Sequence, residues 1–315
     1  MVSARVFGIA VPCLRRLRLR LNLSGNKTRG ELMGRFASHS APGIFGRRSF
    51  LRGVGHAGLG AAAASALALL ARPAHATNWR GVVGCIKPRA GDPSLVDMIR
   101  LLPDGIGVVP VYLNFAEGTR EELARSYANY EKNIAYLATL HCDVISIEGA
   151  PPFMILGPDG EAKMVDGWKQ KYKTDMFTSS QNQVNVLKAM KIKKILGITA
   201  FGADLNKSYA KYFEDSGIGV VAMEGLDVSF QAIPDVPSEV IYSFIKKKFL
   251  AHKGMDGIYI LGSGLEALKL VAALEQDLGV PVVQPIAARI WEIQRRLHVH
   301  QPIKGYGTLL ETLPA

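Results

Sequence analysis

Cysteine is scarce in this sequence of 315 residues, which contains only Cys13, Cys85 and Cys142. None of them has the spacing to other cysteines or histidines that binds zinc, and no phosphate-loop sequence is present. Gly262-Ser263-Gly264 lacks the third glycine of a dinucleotide fingerprint. The sequence therefore contains no recognisable motif for zinc, a nucleoside phosphate or a dinucleotide. Cys85 and Cys142 fall within predicted strands, where a cysteine is usually a small buried residue; the alternative is a disulfide between neighbouring strands.

Acidic residues are almost absent from the first 76 positions. This segment holds one of the 27 acidic residues of the chain but 12 of its 38 basic ones. It accounts for the whole formal net charge of +11, so residues 77–315 are formally neutral. A neutral body gives no reason to expect a nucleic-acid partner.

The basic segment has the order of an export signal. Arg47 and Arg48 begin the twin-arginine sequence RRSFLR, an apolar run rich in Ala and Gly covers residues 54–71, and Ala74-His75-Ala76 offers a cleavage site. The run is interrupted by glycine and is shorter than the ~20 residues of a membrane span. We predict export to the periplasm by the twin-arginine machinery, cleavage after Ala76, and no membrane segment in the mature form. A translation start at Met33 would give the signal an ordinary length.

Beyond the signal, short apolar runs alternate with stretches of helical spacing. We expect strands at 81–86, 105–113, 142–147, 174–178, 194–200, 218–223, 257–261 and 280–283. This alternation predicts parallel sheets with right-handed crossovers. Eight strands in two groups predict an α/β fold with two doubly wound domains rather than one barrel. The expected division is 1–76 for the signal, 77–186 plus 284–315 for the first domain, and 187–283 for the second.

The connecting segments give further expectations. One helix is predicted from Thr119 to Leu140, a turn at 158–160 followed by a helix to Tyr172, and a helix over 265–278. Residues 153–172 are either a cover over the neighbouring loop or an ordinary connecting helix.

Two of the expected strands end in similar glycine turns. The run CDVISIEG ends at Glu148-Gly149 and is followed by Pro151 and Pro152, whereas DGIYILGSG ends at Gly262-Ser263-Gly264. Because proline cannot continue a strand ladder, we expect a rigid loop after Glu148. Ligands of open α/β sheets bind at the carboxyl ends of strands, so the two turns are expected to face one cleft.

Six segments together resemble the aspartate/glutamate racemase superfamily, in particular its arylmalonate decarboxylase and maleate cis-trans isomerase branch. The resemblance covers most of residues 81–310. Its markers are VGCIKP at 83–88, ISIEG at 145–149, ITAF at 198–201 with Asp204 and Asn206, IYILGSG at 258–264, LGVPVV at 278–283 and GYG at 305–307.

The resemblance implies two α/β domains related by a pseudo-twofold axis, an active site between them, and no metal or cofactor. It also implies catalysis by one or two cysteines at the ends of equivalent strands, with backbone N–H groups holding the substrate carboxylate. This sequence departs at both positions. The first falls on Gly149 or Ala150 and the second on Gly262 or Ser263, and Phe201 stands where an arylmalonate decarboxylase has a tyrosine.

Glu148 and Ser263 are the predicted catalytic residues. Burial at a strand end would raise the pKa of Glu148 and make it a general base; the alternative is a carboxylate that pairs with Lys87 or points to solvent. No histidine is placed in the sequence to activate Ser263, and Glu224 is a further acid at a strand end. The predicted substrate-binding residues are Lys87, Pro88, Gly149, Ala150, Phe201, Gly262 and Gly264.

Three functions remain open from the sequence. The first is an exported, cofactor-independent isomerase, racemase or decarboxylase that acts on a small carboxylic or dicarboxylic acid. The second is a catalytically inactive periplasmic protein that binds a carboxylate, and the third is a lyase or hydrolase that uses Glu148 with Ser263. The edges of two small sheets also permit a homo-oligomer.

Overall fold

A computed structural model describes residues 78–91 and 93–315. The twin-arginine sequence, the cleavage site and Met33 lie outside the described residues, so export stays a prediction. No helix in the described part of the chain has the length and apolar character needed to cross a membrane.

The first half of the described chain builds a parallel sheet of four strands in the order β2-β1-β3-β4. The strands are β1 (Gly81–Lys87), β2 (Ile106–Tyr112), β3 (Val144–Ile147) and β4 (Asp175–Thr178). The helices between them are α1 (Ser94–Leu101), α2 (Arg120–Ala124), α3 (Tyr127–Thr139), α4 (Ala150–Leu156) and α5 (Pro158–Tyr172). We call this sheet with its helices the first lobe.

The second lobe repeats the topology of the first, with a parallel sheet in the order β6-β5-β7-β8. Helix α6 (Ser179–Ala189) leads to β5 (Lys194–Thr199), α7 (Ala203–Asp215), β6 (Gly219–Gly225), α8 (Ser238–Ala251), β7 (Gly257–Ile260), α9 (Val271–Leu278) and β8 (Val282–Val283). Two short 3₁₀ helices cover Phe230–Asp235 and Leu268–Leu270, and α10 (Pro285–Arg296) and α11 (Thr308–Thr312) end the chain. The predicted α/β class with two parallel sheets is confirmed; the predicted domain boundaries stay a prediction.

Burial explains why these segments form central strands. All four residues of β3 and all four of β7 are buried, as expected for strands covered by helices on both faces. One hydrophobic cluster joins the lobes: it contains Val83 of β1, Tyr259 of β7 and Ile290 of α10. The two sheets are therefore held together by a continuous core.

The segment after Glu148 corrects the expectation of a rigid loop. Gly149 has a left-handed backbone with φ of 91°, and α4 begins at the next residue. Pro151 and Pro152 lie in the first turn of this helix. Backbone N–H groups in a first turn have no intrahelical acceptor, so the absence of an N–H in proline loses no hydrogen bond there. Prolines that end a strand can thus begin a helix.

Other boundaries also differ from those expected. A single helix was predicted from Thr119 to Leu140. The structure has two helices there, because the helix is interrupted at Arg125 and Ser126, between α2 and α3. The predicted turn at 158–160 is the first turn of α5, and residues 265–278 form a 3₁₀ turn followed by α9. Helix α1 had no prediction.

Candidate functional site

A cleft that is partly open to solvent lies at the carboxyl ends of the strands of both sheets. Residues that follow each of the four strands of the first lobe line it on one side, and residues that follow each of the four strands of the second lobe line it on the other. The walls are largely apolar: Pro88, Phe115, Leu123, Pro151, Pro152, Phe201, Phe230, Ile233 and Leu261.

The turn after β3 is fixed from outside the cleft by two tyrosines of α3. The Tyr130 hydroxyl donates to the carbonyl of Glu148 at 2.8 Å, and the Tyr127 hydroxyl donates to the carbonyl of Pro152 at 2.8 Å. Because Pro151 and Pro152 carry no N–H, the backbone donors at this strand tip are those of Gly149 and Ala150. Both residues line the cleft.

The facing wall carries the turns after β5 and β7. The Asn206 side chain donates to the carbonyl of Phe201 at 3.1 Å and accepts from the Thr199 hydroxyl at 2.7 Å, which fixes the first turn. Gly262, Ser263 and Gly264 form the second turn, in which Gly262 has φ of 105°. The two glycine turns of the sequence therefore face one cleft, as the strand pattern predicted.

Beneath the cleft lies a buried cluster of three charged side chains. Lys87 Nζ is 2.7 Å from Glu148 Oε2, and Arg289 Nη2 is 3.0 Å from the same oxygen. Lys87 and Glu148 have no exposed surface, and Arg289 has 2%. Lys87 Nζ also donates to the Ser94 hydroxyl at 2.7 Å. Of the three charged residues, Arg289 alone lines the cleft.

A second arginine lies at the junction of the two lobes. The guanidinium carbon of Arg89 is 5.3 Å from the ring centroid of Phe230, and its Nη1 donates to the Phe230 carbonyl at 3.3 Å. Arg89 is half-buried and lines the cleft. Gln231 of the second lobe donates to the carbonyl of Ala116 in the first, so this edge of the cleft is bridged.

The charge of the cleft lining is positive. Among the described residues that line it, Arg89 and Arg289 are the charged side chains, and Ser179, Gln183 and Ser263 are the polar ones. Within the same described lining there is no carboxylate, imidazole or thiol. Both described cysteines are free and buried away from the cleft, and burial raises the pKa of Cys85 to about 12 and that of Cys142 to about 11.

The structure places most of the predicted site residues together. Seven of them line the cleft: Pro88, Gly149, Ala150, Phe201, Gly262, Ser263 and Gly264. Lys87 and Glu148 instead lie in the buried cluster, so the alternative interpretation of Glu148, as the partner of Lys87, is the one that the structure shows. Glu224 pairs with Lys248 at 2.6 Å and with His252 at 2.8 Å and is not part of the lining.

Arg289 and Arg89 were missed from the sequence. A signal existed for Arg289, because it stands in the apolar sequence PIAARIWEI, and an arginine inside a buried helix requires a partner. For Arg89 no local signal existed, since its contact is with Phe230, which lies 141 positions away in the sequence.

Comparison with known proteins agrees with this architecture. The curated arylmalonate decarboxylase of Bordetella bronchiseptica is 23% identical over 237 residues, which cover 73% of this chain and 96% of that protein. A mutant of arylmalonate decarboxylase solved in the liganded form gives a TM-score of 0.69 at 22% identity, with 73% of this chain and 99% of that chain covered. The maleate isomerase Iso from Pseudomonas putida S16 gives 0.69 at 19% identity over 74% and 99%.

These relatives are decarboxylases and isomerases, and at these identities the solved structures show the fold. The family assignment depends on a separate match. The family model for arylmalonate decarboxylase matches residues 84–310, from β1 to the α11 helix, and thus includes both strand tips and the buried cluster. The chain therefore belongs to the arylmalonate decarboxylase family.

Proposed function

We propose that this protein is a cofactor-independent decarboxylase of small carboxylic or dicarboxylic acids. The observation that carries the proposal is the meeting of two strand tips, Gly149-Ala150 and Gly262-Ser263-Gly264, in one apolar cleft. Backbone N–H groups at such tips are fixed donors for a carboxylate and for the negative charge that develops on it.

Decarboxylation suits this lining better than isomerisation or racemisation. When a carboxyl group leaves as CO₂, the electron pair of the broken C–C bond moves to the α-carbon and is delocalised onto the retained carboxylate as an enediolate. A proton must then be delivered to that carbon. Racemisation needs a base to remove a proton, and isomerisation of maleate needs a nucleophile to add to the double bond. Among the described lining residues we find neither a base nor a thiol.

Apolar walls favour the bond-breaking step. A carboxylate is destabilised when it loses water against side chains such as Leu123, Phe201 and Ile233, whereas CO₂ is uncharged and is not. The enediolate is stabilised by the backbone N–H groups of the strand tips. The Ser263 hydroxyl supplies the proton to the α-carbon and regains one from water.

Glu148 was predicted to be the general base, but its position gives it a different role. Its carboxylate is fully buried, contacts Lys87 and Arg289, and does not line the cleft. A general base must come within hydrogen-bond reach of the proton that it removes. We assign Glu148 to holding Arg289, and the lyase or hydrolase that uses Glu148 with Ser263 loses support.

A carboxylate-binding protein is the second candidate. The composition of the cleft lining favours it. A cleft with two arginines and no thiol among the described lining residues can hold an anion without acting on it. Only turnover separates this candidate from the decarboxylase.

Turnover is tested by incubating the purified protein in D₂O with phenylmalonate or with maleate and following the substrate and its products in each reaction by NMR. The decarboxylase predicts CO₂ and phenylacetate with deuterium at the α-carbon, and no fumarate from maleate. Ser263→Ala is expected to slow the reaction at least about tenfold, whereas Cys85→Ala leaves it unchanged. Fumarate without CO₂ would show the isomerase. Protection of the fold by these acids without any product would show the binding protein.

We further propose that the chain reaches the periplasm by the twin-arginine route. The support is the sequence RRSFLR, the apolar run and Ala74-His75-Ala76. Cell fractionation tests it: Arg47→Lys with Arg48→Lys should keep the protein in the cytoplasm, and the exported protein should begin at Thr77.

A further inference from the structure

Arg289 is a buried arginine whose guanidinium has one satisfied end. It lies on α10 with 2% of its surface exposed, and its Nη2 is 3.0 Å from Glu148 Oε2. Its Nη1 is buried and has no hydrogen-bond partner. Arg289 is also one of the residues that line the cleft, so the unsatisfied charged donor belongs to a residue at the wall of the proposed active site.

Such a donor points to an anionic ligand. An arginine guanidinium is a charged donor, and burying a charged donor without an acceptor is unfavourable. Nearly all buried polar groups in native proteins have partners, so an orphan at a cleft is most simply explained by a ligand that supplies the acceptor. The planar fork of arginine matches the oxygens of a carboxylate or a phosphate, and the proposed substrate is a carboxylate.

We propose that Arg289 Nη1 binds a carboxylate of the ligand, and that Glu148 and Lys87 are positioning residues which hold the guanidinium for this purpose. Arg289 adds a charged anchor to the backbone donors of the two strand tips. It lies on a helix after the last strand, outside both glycine turns.

The surroundings of Arg289 keep its guanidinium in place. Glu148 Oε2 accepts from Arg289 and from Lys87, so the carboxylate that holds Arg289 is itself fixed by a second cation. The backbone of α10 is tied to α6, because Asn182 Nδ2 donates to the carbonyl of Ala288 at 2.9 Å. A donor fixed before binding loses little conformational freedom when the ligand arrives.

Arg89 provides a natural comparison within the same cleft. It is half-buried, its guanidinium packs over the Phe230 ring, and its Nη1 already donates to the Phe230 carbonyl. A partly exposed charge of this kind is screened by solvent and contributes less to binding. The two arginines should therefore differ strongly in their effect on a bound anion.

The inference also identifies the part of the ligand that Arg289 binds, and here it rests on the proposed function. A carboxylate held by a guanidinium is stabilised as an anion, so it is the one retained in the reaction and becomes the enediolate. The carboxylate that leaves lies against apolar side chains. The ligand is thus a carboxylate with an apolar body, of which phenylacetate is a simple inert example.

The experiment measures binding instead of turnover, so that its outcome is separate from that of the decarboxylase proposal. Phenylacetate and its neutral analogue phenylacetamide are titrated into the wild-type protein, Arg289→Gln, Glu148→Gln and Arg89→Gln by calorimetry, with melting curves to verify folding. Arg289→Gln is expected to weaken phenylacetate on the order of 10- to 100-fold and to leave phenylacetamide unchanged. Arg89→Gln should change phenylacetate less than about threefold.

Glu148→Gln distinguishes anchoring from a general structural role. It removes the charge that holds the Arg289 guanidinium but keeps the guanidinium itself, so phenylacetate should bind more weakly than to the wild type but more tightly than to Arg289→Gln, and phenylacetamide should bind unchanged. Should Arg289→Gln fail to fold, Arg289→Lys keeps a cation beside Glu148 and is expected to lose at least about threefold through the missing fork.

Three outcomes would overturn the proposal: no binding of phenylacetate to the wild-type protein, unchanged affinity in the folded Arg289 variants, or equal weakening of phenylacetate and phenylacetamide. Binding that depends on Arg289 without turnover of phenylmalonate would leave this inference standing and remove the decarboxylase. Turnover of phenylmalonate together with unchanged affinity for phenylacetate in Arg289→Gln would support the decarboxylase and remove the role of Arg289.

Discussion

The Tyr130 hydroxyl occupies the space that a side chain on Gly149 would need: a Cβ built on Gly149 would lie 2.6 Å from the hydroxyl oxygen. Tyr130 uses the same hydroxyl to hold the carbonyl of Glu148. Gly149 also has φ of 91°, which other residues rarely adopt. A cysteine at Gly149, one of the two positions on which the catalytic cysteine implied by the family resemblance falls, is therefore disfavoured for two physical reasons.

Gly149→Ala should be more destabilising than Gly262→Ala. Both variants place a side chain at positive φ, which costs about 1–3 kcal/mol. Only the first also meets Tyr130, which adds about 1–3 kcal/mol of overpacking, since the Cβ at Gly262 has no heavy atom of the described residues within 4 Å. Urea unfolding measures both. Combining Gly149→Ala with Tyr130→Phe should recover part of the difference, and equal losses in the two single variants would contradict the clash.

Ser263→Cys should introduce a reactive thiol into the cleft. Cys85 and Cys142 serve as internal controls for the labelling of this thiol. Burial raises the pKa of Cys85 to about 12 and that of Cys142 to about 11, so both should react slowly. At pH 8 iodoacetamide should therefore modify the introduced thiol far faster than Cys85 or Cys142, as measured by peptide mass mapping in the folded protein. If the proposed chemistry is correct, the new thiol should also speed protonation of the α-carbon and raise turnover of phenylmalonate. Labelling of Cys85 at a similar rate would contradict the assigned burial.

The strand pattern was sufficient to predict the sheets and the meeting of the two tips. Continuous apolar runs such as Val144–Ile147 and Gly257–Ile260 identify strands that are buried on both faces, and parallel strands bring their carboxyl ends to one edge. This is why Gly149 and Gly262 were correctly predicted to face the same cleft.

The partners of charged residues were beyond sequence reasoning. Glu148 follows a strand and could equally face the cleft or the core, and the choice depends on Arg289, which is distant in sequence. Helix starts at prolines were also ambiguous, because Pro151 ends a ladder and begins a helix with the same ring. Local sequence was therefore sufficient to predict the helices and strands, but not which side chains from different elements pair with each other.

Breaking the buried ion pair at Lys87 should destabilise the fold. Lys87→Met removes one of the two cations that contact Glu148 Oε2 in a fully buried site, and the loss of one partner of a buried pair typically costs about 3–5 kcal/mol. Lys207→Met is the matched control, because Lys207 pairs with Asp204 at the surface, where 80% and 97% of the two side chains are exposed. Its effect should be within about 0.5 kcal/mol. Chemical denaturation of both variants decides, and similar losses would show that Lys87 contributes through packing alone.

Glu161 should make the stability of the protein fall as pH rises. This buried carboxyl of α5 is hydrogen-bonded by the hydroxyls of Thr178, Ser180 and Tyr212, the last of which lies on α7 in the other lobe. Burial raises its pKa above the ordinary value of 4.5, and the hydroxyls oppose this only in part. The folded state therefore holds the proton at pH values where the unfolded chain releases it, so stability is greatest below the unfolded pKa and declines through the folded one.

The comparison of wild type with Glu161→Gln isolates this effect, because all other groups titrate equally in both. Wild-type stability relative to the variant should decrease from pH 4.5 upwards in urea unfolding. Glu131→Gln is the control of opposite sign: the hydrogen bond from Lys171 lowers the pKa of Glu131, so wild type should lose stability relative to this variant as pH falls. That change should be small, since the Lys171–Glu131 pair is exposed. A wild-type stability that rose with pH relative to Glu161→Gln would mean that the three hydroxyls outweigh burial and hold the carboxylate ionised between the lobes.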